Sequence, residues 1–483
     1  MSALPPRPHH FGDDSIMASD KKSSSNRFAK AEPASQFRSR EERIANGQQL
    51  RNDTPREAHA IWKSPGRQRD VMAILEKSNR GRLKELVPIR YGRMLRSPFT
   101  FLRGSAALMA HDLAKGPNIG VKVQACGDCH LLNFGLFATP ERNLVLDLND
   151  FDETLPAPWE WDIKRLAVSF AVAARDNGIS DTAARDTAIT CVRAYRENLR
   201  VYSKMSPLQV WYSRLDTQTL LEMAPDDKVR KFRQQLIDRA HERVVENTFP
   251  KIAEQVAGNP RIVDQPPIIH HVAEADFMDR VRENLADYRD SLSDERRVLF
   301  DRYRMVDAAL KVVGIGSVGT RCFIVLMFSE GNAPLILQFK ESCLLVLAPY
   351  AGKSQYNNQG QRVVMGQRLM QSSSDIFLGW TRSRRGRDYF VRQLRDMKLS
   401  VPVESVTATQ LERYADICGL TLARAHAKSG DAATISGYLG KGDAFDRSVG
   451  DFALLYADQT ARDHAVLVKA AHSGRVQVLV EEE

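Results

Sequence analysis

The chain is poor in cysteine, in long apolar runs and in export signals. Its 483 residues hold six cysteines (Cys126, Cys129, Cys191, Cys322, Cys343 and Cys418), and only the first two lie close together. That pattern excludes a disulfide framework and suits a reducing compartment. No apolar stretch reaches the roughly 18 residues a membrane span requires. The N-terminus, MSALPPRPHHFGDDSIMASD, carries acids and prolines where a signal peptide needs an apolar core. A cytoplasmic protein without a membrane span is expected. The chain also lacks G-x-S-x-G, so no serine nucleophile elbow is present. No internal repeat is visible.

What is plentiful is positive charge. Lys plus Arg exceed Asp plus Glu by 69 − 60 = 9. Much of the excess lies in residues 51–100, with twelve basic against five acidic side chains. No nucleic-acid motif accompanies them, so a solvated basic surface is the simpler reading and nucleic acid is not an expected partner.

Residues 1–55 are rich in Ser, Pro, Lys and Asp without periodic apolar positions, which predicts a disordered tail. Residues 56–120 read as an N-terminal helical segment, including a short amphipathic helix at Ser105–Lys115. Val121–Val123 reads as a strand. Helical spacing then recurs in IKRLAVSFAVAARD, Thr182–Tyr202, Lys228–Val245 and Phe277–Arg304, so residues 160–305 look like a helical subdomain, broken by the irregular stretch RIVDQPPIIHHV. The tandem His270-His271 reads as a loop or packing feature, with no acid or Cys at ligand spacing. From Val306 the pattern changes to strand, glycine turn, strand and a third strand, PLILQFKES. A helix at Gln359–Gln371, a basic loop TRSRRGR, a short strand YFVRQL and helices from Gln410 to the C-terminus complete the chain. His426, on an apolar helix, reads as a packed or capping residue.

The richest stretch is Gln124–Glu153, QACGDCHLLNFGLFATPERNLVLDLNDFDE. Asp128 is followed five residues later by Asn133, and Asp150 and Asp152 close a short apolar strand. Acids and an amide on loops flanking one strand pair should converge on a small volume. Such hard oxygen donors suit a divalent metal that holds a nucleotide's phosphates. In that reading Asp128 accepts the proton of an attacking hydroxyl, while Asn133 and Asp150 bind metal. Asp152 and Asp147 are alternatives for the metal role. The plain alternative is a turn capped by Asp and Asn. Cys126, Cys129 and His130 also spell C-x-x-C-H, the pattern of covalent haem attachment. The cytoplasmic setting and the apolar flanks favour two small buried cysteines beside a loop instead.

Gly314, Gly316 and Gly319 form G-x-G-x-x-G. A dinucleotide-binding loop would open a helix, but Cys322-Phe323-Ile324-Val325-Leu326 is β-branched and aromatic. Strand therefore follows strand, the geometry of a glycine flap laid over phosphates. Residues 314–320, with Ser317 and Thr320, would supply phosphate contacts, and Lys340 on the next strand would reach the same phosphates. The plain alternative is a glycine-rich hairpin with a solvent-facing lysine.

GDCHLLNFG followed by LNDFDE resembles the catalytic and metal loops of aminoglycoside and choline kinases, with Asp162 matching a further Asp that begins the next helix. GIGSVGT and Lys340 resemble the glycine loop and strand lysine of the same superfamily, and CGLTLARAHAKSG resembles the helix that normally precedes the catalytic loop. From about Pro55 to Gly474 the chain also resembles a bacterial family catalogued as domain of unknown function 2252, on PIRYGRMLRSPFTFLRG, GDCHLLNFG, NDFDET, PWEWDIKRLA and YADQTARDH. The kinase resemblance implies an α+β, two-lobe kinase-like fold in circularly permuted order. Reading 306–428 and then 121–305 restores the usual order of motifs. It places a sheet lobe at 306–400, catalytic and metal loops with a helical lobe at 121–305, and completing helices at 401–483. It implies ATP and Mg²⁺ as cofactors and phosphoryl transfer to an unknown small-molecule or protein substrate. AMP transfer to a protein, or nucleotide-dependent regulation without turnover, are its alternatives. One departure stands out: the helix after Lys340, QGQRVVMGQRLMQSSSD, offers no Glu to pair the lysine.

Overall fold

In the consecutive strands Cys322–Ser329 and Pro334–Glu341, side chains alternate between two apolar clusters. Phe323, Val325, Met327, Leu335, Leu337 and Phe339 face one side; Ile324, Leu326 and Ile336 face the other. Apolar residues on both faces make strands that must be covered on both sides. In the computed structural model they form the middle of a six-stranded antiparallel sheet. Its order is Gly379–Arg382, Asp388–Gln393, Pro334–Glu341, Cys322–Ser329, Tyr303–Lys311 and Ile269–His270. Helices Phe277–Arg289 and Asp294–Phe300 cover the first face through Val281, Leu285, Tyr288 and Phe300. Alternation leaves Gln338 and Lys340 on the second face. The structure describes residues 38–63, 69–256, 259–331, 333–343, 345–394 and 397–481.

The rest is a mixed, mostly helical body. Helix Trp159–Asp176 is buried along its whole length from Trp159 to Ala174, as expected of a helix that is apolar nearly all round. Helices Asp181–Tyr202, Ala408–Ser429 and Ala444–His472 pack with it in one large core. Gly419 permits the close approach of two of them, since a Cβ there would lie 2.2 Å from the Cys191 carbonyl oxygen. Two small sheets sit on this body. Phe134–Ala138 pairs with Leu144–Leu148 and with Leu399–Ser400, and Lys122–Ala125 pairs with Leu155–Pro158. The C-terminal end of Ala408–Ser429 meets the start of Lys122–Ala125: the Gln124 amide donates to Ser429 Oγ at 3.2 Å.

Several expectations need correction. Residues 40–53, expected within an unstructured tail, form a helix (Arg40–Asp53) against Ala432–Leu439; Arg51 donates to the carbonyls of Tyr438 and Gly437. The part of that tail before residue 38 lies outside the described residues. The break in the helical stretch 160–305 is wider than RIVDQPPIIHHV and forms strands. It contains the hairpin Ala253–Val256/Asn259–Ile262 and contributes Ile269–His270 to the main sheet. Phe277–Arg304 is two helices, and the following strand already begins at Tyr303. The basic loop TRSRRGR begins as strand, since Thr381 and Arg382 pair with Tyr389 and Asp388. His271 does find acids, Asp264 at 2.9 Å and Asp307 at 3.0 Å, brought near by chain reversal rather than by ligand spacing. Finally, the arginines of 51–100 are not all solvated: Arg69 and Arg90 are buried.

Arg69 shows what such burial does. It donates to Asp112 and Asp463, both at 2.7 Å, and so ties the N-terminal segment to the long C-terminal helix. A buried carboxylate left without its cation is costly. Arg69→Met is therefore expected to lower unfolding free energy by about 3–5 kcal/mol. Urea denaturation checks this, and a loss below about 1 kcal/mol would mean that the bridge is replaceable.

Candidate active site

Two hairpins and one helix bring the acids together. Phe134–Ala138 pairs with Leu144–Leu148 in the register Phe134↔Leu148, so the residues just beyond the pair are neighbours. The Asn149 amide donates to the Asn133 carbonyl at 2.9 Å, which delivers Asn133 and Asp150 to the same end of the ladder. The loop carrying Asp128 is pinned from below. Asp162, at the start of the central helix, accepts from the amides of Cys126 at 2.7 Å and Gly127 at 3.0 Å. Gly127 has φ +83°, and a Cβ there would meet the Glu153 carbonyl at 2.3 Å, so glycine is required. Asn133 Nδ2 donates to the Asp128 carbonyl at 2.6 Å and closes the loop. His426 is buried, its Nε2 3.3 Å from Asp162 Oδ2 and its Nδ1 3.0 Å from the Tyr195 hydroxyl.

Above these acids lies the sheet. Residues 312–321 connect Tyr303–Lys311 to Cys322–Ser329 and hold the glycine motif, and Lys340 lies on the next strand. The resulting cleft, of about 210 Å³, is lined by Asp128, Asn133, Asp150, Asp152, Gly314, Gly316, Ser317 and Lys340. Lys340 pairs with Asp152, and its Nζ lies 4.0 Å from Asp150 Oδ2. The Ser317 hydroxyl donates to Asp152 Oδ2 at 2.9 Å. Eight of the ten residues singled out in the sequence thus share one cleft. Gly319 and Thr320 do not line it. Gly319, at φ +87°, turns the chain beside Arg82, and the Thr320 hydroxyl donates to the Ser317 carbonyl at 2.8 Å. They shape the loop instead of facing a ligand.

Burial sets the electrostatics. Burial works against the charge of Asp150, but Lys340 and Arg392 overcome it and hold this carboxyl at about 2. Burial also opposes the Lys340 ammonium, yet Asp150 and Asp152 raise its pKa above the ordinary value. Among the described residues Glu153 has no cation in contact, and burial pushes it up to about 7 despite the Val346 amide and the charge of Arg362. Burial pushes His130 down to about 4, so its ring is neutral.

Asp147, the other candidate for the metal role, belongs elsewhere. Its carboxylate is buried, pairs with Arg424 at 2.5 Å and accepts from the Ser372 amide and hydroxyl at 2.8 Å. Cys126 and Cys129 are buried free thiols beneath the Asp128 loop, and burial raises both.

Some residues that build the cleft carried no local motif. Arg165 Nε donates to Asp128 Oδ1 at 2.5 Å, and its Nη2 reaches the Leu102 carbonyl at 3.0 Å. Its signal was an arginine inside the otherwise apolar run IKRLAVSF. Arg82, Arg90, Arg103 and Arg392 also line the cleft. Arg82 and Arg90 come from the segment whose charge reads as solvated, and only the tertiary fold turns them inward. Gln359–Met370 carries no glutamate, and Lys340 pairs with Asp152. Arg362 on that helix instead donates to the carbonyls of Thr154 and Asp152, both at 2.9 Å.

The donor set fits a hard divalent cation. Asp150 is ionised, Asp152 Oδ1 is buried without a hydrogen-bond partner among the described residues, and the Asn133 amide nitrogen is engaged while its oxygen is not tied up by any bond described above. Among the described residues no helix is long and apolar enough to cross a membrane. The profile of a family described as an uncharacterized protein conserved in bacteria (DUF2252) matches residues 82–470, so the chain belongs to that family. No curated protein and no solved structure matches it.

Glu153 gives a pH test. Its folded pKa of about 7 lies above the ordinary 4.5, so the stability associated with it is fully present below 4.5 and is lost as pH rises through 7. Glu153→Gln, a mimic of the protonated form, should therefore exceed wild type in stability by about 1–3 kcal/mol at about pH 8. The difference should vanish in acid. Denaturation at both ends of the range checks this, and a pH-independent difference contradicts it.

Proposed function

We propose that this member of the family is a Mg²⁺-dependent phosphotransferase that moves the terminal phosphoryl group of ATP to an acceptor hydroxyl or amine. One observation carries the reading: a buried lysine paired with Asp152 and close to Asp150, under a glycine loop and across from Asp128. Kinase sites use these parts together, a glycine hairpin and a lysine on the third strand, with acids and an amide holding metal below. Here the glycine loop joins the first two long strands of the sheet and Lys340 lies on the third.

The reversed order of the motifs fits a circularly permuted kinase-like fold. In such a fold the helix Ala408–Ser429 would lead directly into the loop of Asp128. The contact of Ser429 with Gln124 makes that connection physically short. Chain ends are commonly close at a domain surface, so permutation costs little.

Each residue then has a task. Asp150, Asp152 and Asn133 would hold Mg²⁺, whose chemistry is to neutralise charge on the transferring phosphate. Without nucleotide, Lys340 neutralises the two acids; with it, Lys340 turns to the phosphates. Residues 314–317 line the same space. Asp128 keeps Oδ1 on Arg165 and offers Oδ2 to the acceptor proton. Burial of five of the six free cysteines suits the cytoplasm, where ATP is abundant. AMP transfer, or nucleotide-dependent regulation without turnover, is a second reading. It is favoured by the absence of a glutamate on Gln359–Met370, which leaves Lys340 held by metal-loop acids.

The decisive measurement is thermal stabilisation by ATP with and without Mg²⁺. Wild type should gain about 2.7 kcal/mol at a hundredfold excess over Kd, and Asp150→Ala and Lys340→Ala should lose most of it. Asp128→Asn should keep the stabilisation while turnover falls about 10²–10⁴-fold. Label on the γ-phosphate should reach product; transfer of α-label would select AMP transfer. Absence of ATP binding in all proteins would end both readings.

A further inference from the structure

The stretch PIRYGRMLRSPFTFLRG has no role so far, yet it forms one wall of the cleft. It folds as helices Val87–Leu95 and Pro98–Gly104, broken at Ser97, which caps the second through Thr100. With the turn before it, the stretch fastens the glycine loop. Arg82 Nη2 donates to the Gly316 carbonyl at 2.8 Å, the Leu83 amide to that of Gly319 at 2.7 Å, and Arg93 Nη1 to that of Val313 at 2.5 Å. Arg90 is buried and donates to the Gly104 carbonyl at 2.6 Å. These guanidiniums are committed to the fold.

Arg103 is different. It lines the cleft with Asp128 and His130, and its Nε is buried without a hydrogen-bond partner among the described residues. Its contact is the Phe99 ring, 5.9 Å away, which fixes the guanidinium without neutralising it. Glu404 and Asp128 favour its charge from a distance without a hydrogen bond to it, and Asp128 is already held by Arg165. His130 adds a second unsatisfied group, for its Nδ1 is buried without a hydrogen-bond partner among the described residues. A guanidinium Nε and an imidazole Nδ1 left without partners at this wall carry a desolvation cost that an oxyanion would offset. Lys340, Asp150 and Asp152 already account for the phosphate donor and its metal. The Arg103 wall is therefore the acceptor's side.

We propose that Arg103 and His130 form an oxyanion subsite, so that the acceptor is a hydroxyl compound bearing a carboxylate or phosphate. This rests on the phosphotransferase reading for the word acceptor, but not for the anion site itself. The class is opposite in charge to choline and aminoglycosides, whose ammonium groups would be repelled by Arg82, Arg90 and Arg103.

Three small alcohols test it: glycerol, glycerate and glycerol 3-phosphate, at equal concentration, with and without ADP·Mg²⁺. Wild type should be stabilised thermally by one or both anions and not by glycerol, and the stronger of the two identifies the anion. Arg103→Met, which keeps the side chain's apolar stem, should bind that anion about 10–100-fold more weakly. Arg103→Lys should bind with intermediate affinity. Both variants should keep their unliganded melting temperature and the ATP·Mg²⁺ shift. Loss of the ATP·Mg²⁺ shift in a folded Arg103 variant would assign Arg103 to the donor phosphates and overturn the proposal. So would equal responses to all three alcohols, or none. Arg103-dependent anion binding in a protein that ignores ATP would keep the subsite and remove the phosphotransferase.

Discussion

Four carboxylates, those of Asp128, Asp150, Asp152 and Glu153, share one partly buried cleft, and their mutual repulsion has to be met by the surrounding fold. Each is met differently. Arg165 reaches Asp128 from the central helix, and Lys340 reaches Asp150 and Asp152 from the sheet. The Val346 amide meets Glu153, which burial inclines to remain protonated near neutral pH. Because like charges at such distances raise one another's pKa unless cations intervene, the sheet and the helical body are electrostatically interlocked. Lys340 is the pin between them. A ligand bringing its own negative charge and a cation would exchange partners within this arrangement without creating new buried charge.

The glycine loop is the second consequence. Glycine flaps gain from freedom, because backbone amides must settle on phosphates. Here the freedom is already limited. Arg82, Leu83 and Arg93 hold four carbonyls, those of Val313, Gly316, Val318 and Gly319, and Ile315 packs with Met94, Phe101 and Leu108. The N-terminal segment is in turn fixed to the C-terminal helix through Arg69, Asp112 and Asp463. Preorganisation of this kind lowers the ordering cost of binding, and it makes the far C-terminus a structural part of the cleft. Arg93 pairs with Glu481 at 2.6 Å.

The sequence by itself determined the local pieces. Asp128, Asn133, Asp150 and Asp152 were legible because their spacing around one short strand pair forces convergence, and the ladder Phe134↔Leu148 provides it. The strand after the glycine motif was legible from its β-branched and aromatic residues. Helices with strong apolar spacing, such as Thr182–Tyr202 and Gln410–Lys428, were legible for the same reason: periodicity is a local property of the chain.

Only the tertiary structure decided what pairs with what. Asp147 and Asp152 look alike in LDLNDFDE, yet strand alternation sends Asp147 to Arg424 and the turn after the strand sends Asp152 to Lys340. Arg69 and Arg90 look like surface charge because a cation's burial depends on partners elsewhere in the chain. Asp112, Asp463 and the Gly104 carbonyl are such partners. Composition records how many charges a chain carries; which of them are removed from water is settled when distant segments close around them.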